Sequence, residues 1–209
     1  MYSFEFAGAN GDQPPHTTIH DMAVQYVAEI RKIQPAGEYI LGGHCLGGLV
    51  AFDMAAKLEA MGKTVAALCL FESLPPSLDI GKGKFTESEE DAVLRSPELD
   101  AQILSALGMI FDQTGKQLAR LPRELAERFE KLNRIHVEAG INYLASPVNA
   151  PIVLFRTSSH EESIFQEWRK LTHGEFSETM VPGHTFSMLT PPHVDVLAEQ
   201  VAELLKSAR

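Results

Sequence analysis

Along this chain the spacing of apolar positions switches between a two-residue and a three-to-four-residue period, and each switch marks an element boundary. Residues 2–6 read as a short strand, and 17–34 as an amphipathic helix with Ile19, Met22, Tyr26, Ile30 and Ile33 on one face. Thr18 and Asp21 supply its N-terminal cap, and Pro35-Ala36-Gly37 stops it. A strand over 39–43 follows. Next comes a helix over 46–61, with Leu46, Val50, Met54, Leu58 and Met61 as its apolar stripe and Gly62 as its stop. Residues 65–71 form a near-continuous apolar run, the composition of a strand buried on both faces.

Between Leu74 and Ala150 no strand pattern appears, while helical spacing occupies 99–111 and 122–144. Strands resume at 151–157 and 177–182, and 191–206 closes the chain as a helix opened by two prolines. This order predicts an α/β fold: a mostly parallel sheet with helices on both faces, one domain over 1–209, and a helical insertion at about 77–148.

The junction of the second strand and its helix carries the candidate chemistry. Gly43-His44-Cys45-Leu46-Gly47 has the layout of a nucleophile elbow, Gly-x-Ser-x-Gly, with sulfur in place of oxygen. The glycines two residues to either side are expected to leave room where a Cβ would collide with strand and helix. Cys45 would stand at a helix N-terminus, whose partial positive charge is expected to favour the thiolate. The plainer alternative is a glycine-rich strand end with a buried free cysteine. A phosphate-cradling loop is excluded, because no Gly-Lys-Ser/Thr follows the glycines.

Composition narrows the classes. A net charge of -10 argues against nucleic acid or an anionic membrane as partner, since both select a basic surface. There are 2 cysteines, Cys45 and Cys69, too few for a disulfide framework; Cys69 falls inside the apolar run 65–71, as a buried strand thiol does. No run resembles a signal peptide or approaches the roughly 18 apolar residues of a membrane span, so a cytoplasmic, reducing setting is expected. No His-Glu-x-x-His or Cys-x-x-Cys occurs, so neither a metal nor a cofactor site is expected.

A thiol nucleophile needs a base, and the base an acid to orient it, arriving in this architecture in the order nucleophile, acid, histidine at strand C-terminal ends. Glu72 follows the apolar strand, and His184 follows the strand 177–182 in a Pro-Gly-His-Thr-Phe-Ser loop. Glu161 and Glu162 compete for the acid's role. Of the 8 histidines, His44 adjoins the nucleophile and is expected to point elsewhere, and the others lie in helices or turns. The Leu46 N–H is the expected oxyanion donor.

These residues resemble the thioesterase domains that terminate nonribosomal peptide and polyketide assembly lines. The likeness runs from Gln34-Pro35-Ala36-Gly37 through Gly47-Gly48, then Ala51–Ala55, Leu70–Pro76 and Gly183–Leu189. It implies an α/β-hydrolase fold whose insertion is a mobile lid, and a substrate delivered as a thioester on the phosphopantetheine arm of an acyl or peptidyl carrier protein. Release would follow, through an acyl-Cys45 intermediate, by hydrolysis or cyclisation. Phe111, Phe129, Ile141 and Tyr143 would line the channel or sit in the core. The chain departs from the pattern in four ways. Cysteine replaces the usual serine, Glu72 replaces the usual aspartate, and Thr185 fills the slot where the histidine is usual, with His184 one residue earlier. Further strands are also expected before Tyr2, one of which leads to a loop donating a second oxyanion N–H; losing such a donor typically costs about 100- to 1,000-fold in turnover. Two alternatives differ in class: a thiol-dependent ester or lactone hydrolase, and a non-catalytic carrier-binding module.

Overall fold

The computed structural model describes residues 2–76, 123–158, 165–185 and 187–207. The expected helix over 99–111 with Phe111, most of the insertion, and the competing acids Glu161 and Glu162 lie outside these residues.

Four strands form one parallel sheet in the order β1 (Tyr39–His44), β2 (Val65–Phe71), β3 (Ile152–Arg156), β4 (Phe176–Met180). Among the described residues four α-helices accompany them: α1 (Ile19–Ile33), α2 (Leu46–Ala60), α3 (Arg123–Ile141) and α4 (His193–Ser207). Helix α1 begins where the sequence placed its cap, the Asp21 N–H donating to Thr18 Oγ1 at 3.0 Å. The alternation of β2 and β3 divides the core in two. Leu68, Leu70, Ile152 and Leu154 join α1 and α2 on one side, and Cys69 and Phe155 meet Leu197 of α4 on the other. Helices on both faces are thus what the two-residue period demands.

Two expectations change. Residues 2–6 form no strand among the described residues. Their apolar side chains are taken up by helices instead: Phe4 stacks on Tyr26 of α1 at 4.6 Å, Tyr26 Oη donates to the Glu5 carbonyl, and Phe6 packs on His136 of α3 at 4.3 Å. Helix α2 is also not amphipathic. Leu49 through Ala55 are all buried, because α2 lies between the sheet, α1 and α3, while the predicted stripe residue Met61 is half exposed. Its one buried carboxylate, Asp53, accepts from Tyr143 Oη at 3.0 Å and pairs with Lys57 at 3.1 Å. Tyr143 is therefore a core residue. Phe129 and Ile141 are half-buried on α3.

His136 makes α3 sensitive to acid. Desolvation, with His16 adding to it, lowers its pKa from 6.5 to about 4. An unfolded chain binds a proton there between these values and the folded chain does not, so stability falls as pH drops from 6.5 towards 4. We expect urea unfolding to show a loss of up to about 3 kcal/mol across that window, and His136→Leu to flatten the slope.

Candidate active site

Strand register brings the carboxyl ends of β1 to β4 to one edge. His44 pairs with Phe71, and the Cys45 N–H donates to the Phe71 carbonyl at 2.9 Å, so Cys45 lies beside Glu72. The Glu72 N–H donates to the Phe155 carbonyl at 2.8 Å, and the Val181 N–H to the Arg156 carbonyl at 2.7 Å, carrying the edge on to the loop that holds His184. Open parallel sheets bind their ligands at this end.

At the elbow the chain turns from β1 into α2 through Cys45, with φ 50° and ψ -121°. A Cβ on Gly43 would lie 2.0 Å from the Gly47 carbonyl oxygen, and one on Gly48 would lie 1.9 Å from Ser73 Oγ. A Cβ on Gly47 would meet nothing within 4 Å beyond its chain neighbours and its own helix's backbone. The expectation about the flanking glycines thus holds for Gly43 and moves from Gly47 to its neighbour Gly48. Beyond the glycines, the described chain has two residues with positive φ, Cys45 at 50° and Glu72 at 45°. Both are candidate catalytic residues on adjacent strand ends, and strained backbone of this kind persists where the surrounding structure holds it.

Glu72 is buried, and its Oε2 accepts from the Thr157 N–H at 2.5 Å. The next residue, Ser73, has its carbonyl fixed by the Trp168 indole N–H at 2.8 Å, and Trp168 is itself fully buried against Phe52. The acid's turn is therefore anchored from β3 and from the short helix Gln166–Leu171. Neither anchor has a motif in the sequence that would reveal it.

Cys45 is open to solvent, yet the chain around its sulfur displaces water. That desolvation pushes the thiol above its ordinary 9.0, a hydrogen bond from the Leu46 N–H draws it back, and the Glu72 charge adds to the rise. These effects run against the thiolate expected at this helix N-terminus: withdrawal of water, and after it the Glu72 carboxylate, raise the thiol's pKa, with the Leu46 N–H acting the other way. Cys69 is buried and its thiol is raised to about 11 by desolvation, which leaves it inert.

His184 is exposed in the loop after β4. Its N–H donates to Ser187 Oγ at 2.9 Å, and no described hydrogen bond joins its imidazole to Glu72 or Cys45. His44, which the sequence left aside, is drawn into the site: its Nε2 lies 2.6 Å from the Thr185 carbonyl, and Glu72 acts on it electrostatically. Desolvation lowers its pKa below 6.5, against the opposing effects of Thr185 and Glu72. Among the described residues no group of three or more His, Cys, Asp or Glu side chains is placed to hold a metal, and no helix is long and apolar enough to cross a membrane.

A parallel sheet with helices on both faces and a strained strand-to-helix turn at its carboxyl edge are the architecture of an α/β-hydrolase fold. The chain belongs to the thioesterase domain family, which matches residues 1–205. It is 26% identical over 228 residues to indigoidine synthase of Streptomyces lavendulae, across 100% of this chain and 17% of that protein. With malpibaldin synthetase of Mortierella alpina the identity is 24% over 211 residues, across 99% of this chain and 4% of that protein. The chain thus spans a small part of these relatives. It shares its fold with the Vlm2 thioesterase domain solved with a bound dodecadepsipeptide, at a TM-score of 0.72 and 24% identity over 95% of this chain and 81% of that one.

Two outcomes follow from the elbow. Gly43→Ala should cost about 3 kcal/mol or more in urea unfolding, because backbone stands where the methyl must go, whereas Gly47→Ala should change stability by less than about 1 kcal/mol. Alkylation of resting Cys45 by iodoacetamide should reach half its maximal rate above pH 9.0, and Glu72→Gln should move that midpoint down by removing the negative neighbour.

Proposed function

We propose that this domain releases an acyl or peptidyl chain from the phosphopantetheine arm of a carrier protein, through a covalent thioester on Cys45. The observation that carries the reading is the coincidence of backbone strain with candidate chemistry: Cys45 and Glu72 are the described non-glycine residues held at positive φ, on neighbouring strand ends. Membership of the thioesterase family supplies the reaction class, and the synthetases it resembles supply the context of a carrier domain.

In this reading Cys45 Sγ attacks the thioester carbonyl while the His184 imidazole takes its proton, and Glu72 orients the imidazole and balances its charge. The Leu46 N–H, which reaches the Cys45 sulfur, turns to the developing oxyanion. The proton on His184 passes to the departing pantetheine thiol, leaving acyl-Cys45. Water, or a hydroxyl or amine of the chain itself, then attacks the acyl carbon, and His184 accepts its proton and returns it to the Cys45 sulfur. A thiol that is neutral at rest suits this sequence, because deprotonation occurs as attack occurs. The alignment of His184 with Glu72 is expected to tighten when substrate fills the site, as catalytic hydrogen bonds commonly do.

Exchange of one thioester for another leaves the loaded enzyme about as reactive as its substrate. That favours release by a weak or constrained internal nucleophile, with hydrolysis as the default, and a reducing compartment keeps the thiol available.

An acyl-N-acetylcysteamine thioester tests the reading. Intact-mass spectrometry should detect an acyl adduct on the wild-type protein and none on Cys45→Ala, and Glu72→Gln or His184→Ala should lower kcat/KM by about 100-fold or more. A wild-type protein that forms no adduct and turns over no thioester at any acyl length overturns the proposal, and oxoester turnover without thioester preference favours a small-ester hydrolase.

A further inference from the structure

We infer that, given the Cys45–Glu72–His184 assignment proposed above, His44 is a positioning residue: its imidazole ties the β4–α4 loop to the elbow and so fixes where His184 can stand. The contact lies 2.6 Å between His44 Nε2 and the Thr185 carbonyl oxygen and joins positions 141 residues apart. A carbonyl can only accept, so Nε2 carries the proton and the imidazole is the donor. Desolvation keeps that ring in its neutral form near pH 7.

The loop's two ends are fixed by other means. On one side the Val181 N–H donates to the Arg156 carbonyl at 2.7 Å; on the other the Met188 N–H donates to the His184 carbonyl at 3.0 Å and the Thr190 N–H to the Ser187 carbonyl at 3.0 Å. Gly183 turns between them at φ 99°, where a Cβ would meet Ser187 Oγ at 2.6 Å and His193 Cδ2 at 2.8 Å. These contacts shape the loop but are internal to it, or tie it to β3 and α4. The His44 bond reaches across to the strand that carries the nucleophile, one residue before Cys45 and one after His184. It therefore couples the relative placement of thiol and base directly. A misplacement of about 1 Å in such a pair costs on the order of 100-fold in rate.

Three variants separate the roles. His44→Ala removes ring and donor, His44→Phe keeps a ring without a donor, and His44→Gln restores an N–H donor on a side chain of similar reach. With an acyl-N-acetylcysteamine substrate, His44→Ala and His44→Phe should lower kcat by about 10- to 100-fold with KM within about two-fold of wild type, and His44→Gln should recover most of the loss. Hydrogen–deuterium exchange over 181–190 should accelerate in the Ala and Phe variants and return towards wild type in His44→Gln, with thermal unfolding recorded alongside. A wild-type kcat in a folded His44→Phe, or unchanged exchange over 181–190 in either variant lacking the donor, overturns the inference. If the wild-type protein forms no Cys45 adduct, the functional reading fails, and the exchange comparison decides the His44 tether without it.

Discussion

The site depends on one close approach, the end of β1 pressed against the first turn of α2. With the Gly47 carbonyl 2.0 Å from where a Gly43 Cβ would stand, strand and helix share a space that admits no side chain. Only under that closeness can one residue reverse the chain direction, and Cys45 bears the cost as a φ of 50°. Strain of this kind is of order 1–3 kcal/mol and persists because both flanking elements are locked elsewhere. β1 is paired to β2 along its length, and α2 is buried from Leu49 to Ala55. The all-round burial of α2 therefore serves the elbow: a helix held from three sides cannot relax the turn at its N-terminus.

The acid repeats the pattern by other means. Glu72 also sits at positive φ, but no glycine cluster relieves it. Its backbone N–H is bound to Phe155, its carboxylate to the Thr157 N–H, and the following carbonyl to Trp168. Two segments distant in sequence, β3 with its end and the short helix Gln166–Leu171, thus converge to hold one strained residue. Trp168, which holds the Ser73 carbonyl, is itself packed against Phe52 of α2 at 5.3 Å between ring centroids, so the turn after Glu72 is tied to the core.

What the sequence made legible follows from which interactions are local. The α1 cap, the strand periods and the order of elements rest on residues a few positions apart, and among the described residues they emerge with boundaries shifted by up to three residues. The elbow was legible because its glycines and nucleophile fall within six residues of Gly43, although Gly48 and not Gly47 carries the second steric limit. Residues 2–6 were misread because an alternating apolar pattern fits a strand and equally fits a segment lying across helices α1 and α3, where Phe4 and Phe6 find partners. The His44–Thr185 bond and the anchors of Glu72 could not be read at all. Each joins residues 85 to 141 positions apart through a backbone group, which leaves no trace in residue identity.

The electrostatics of the edge point to the kind of nucleophile this fold makes of a cysteine. A helix N-terminus lowers a thiol pKa when the thiol is solvated or faces a cation. Here desolvation of the sulfur, and after it the Glu72 carboxylate, raise the thiol's pKa against the hydrogen bond from the Leu46 N–H. In the proposed mechanism the elbow uses sulfur as it would use a serine hydroxyl, as a group activated during attack. What sulfur changes is the intermediate. In that mechanism an acyl-thioester retains the reactivity that an oxoester would lose, while desolvation first, and the Glu72 charge after it, oppose departure of a free thiolate. Collapse of the loaded state in that mechanism requires a proton for the leaving sulfur, and its proposed source is the His184 imidazole, whose place the loop after β4 determines.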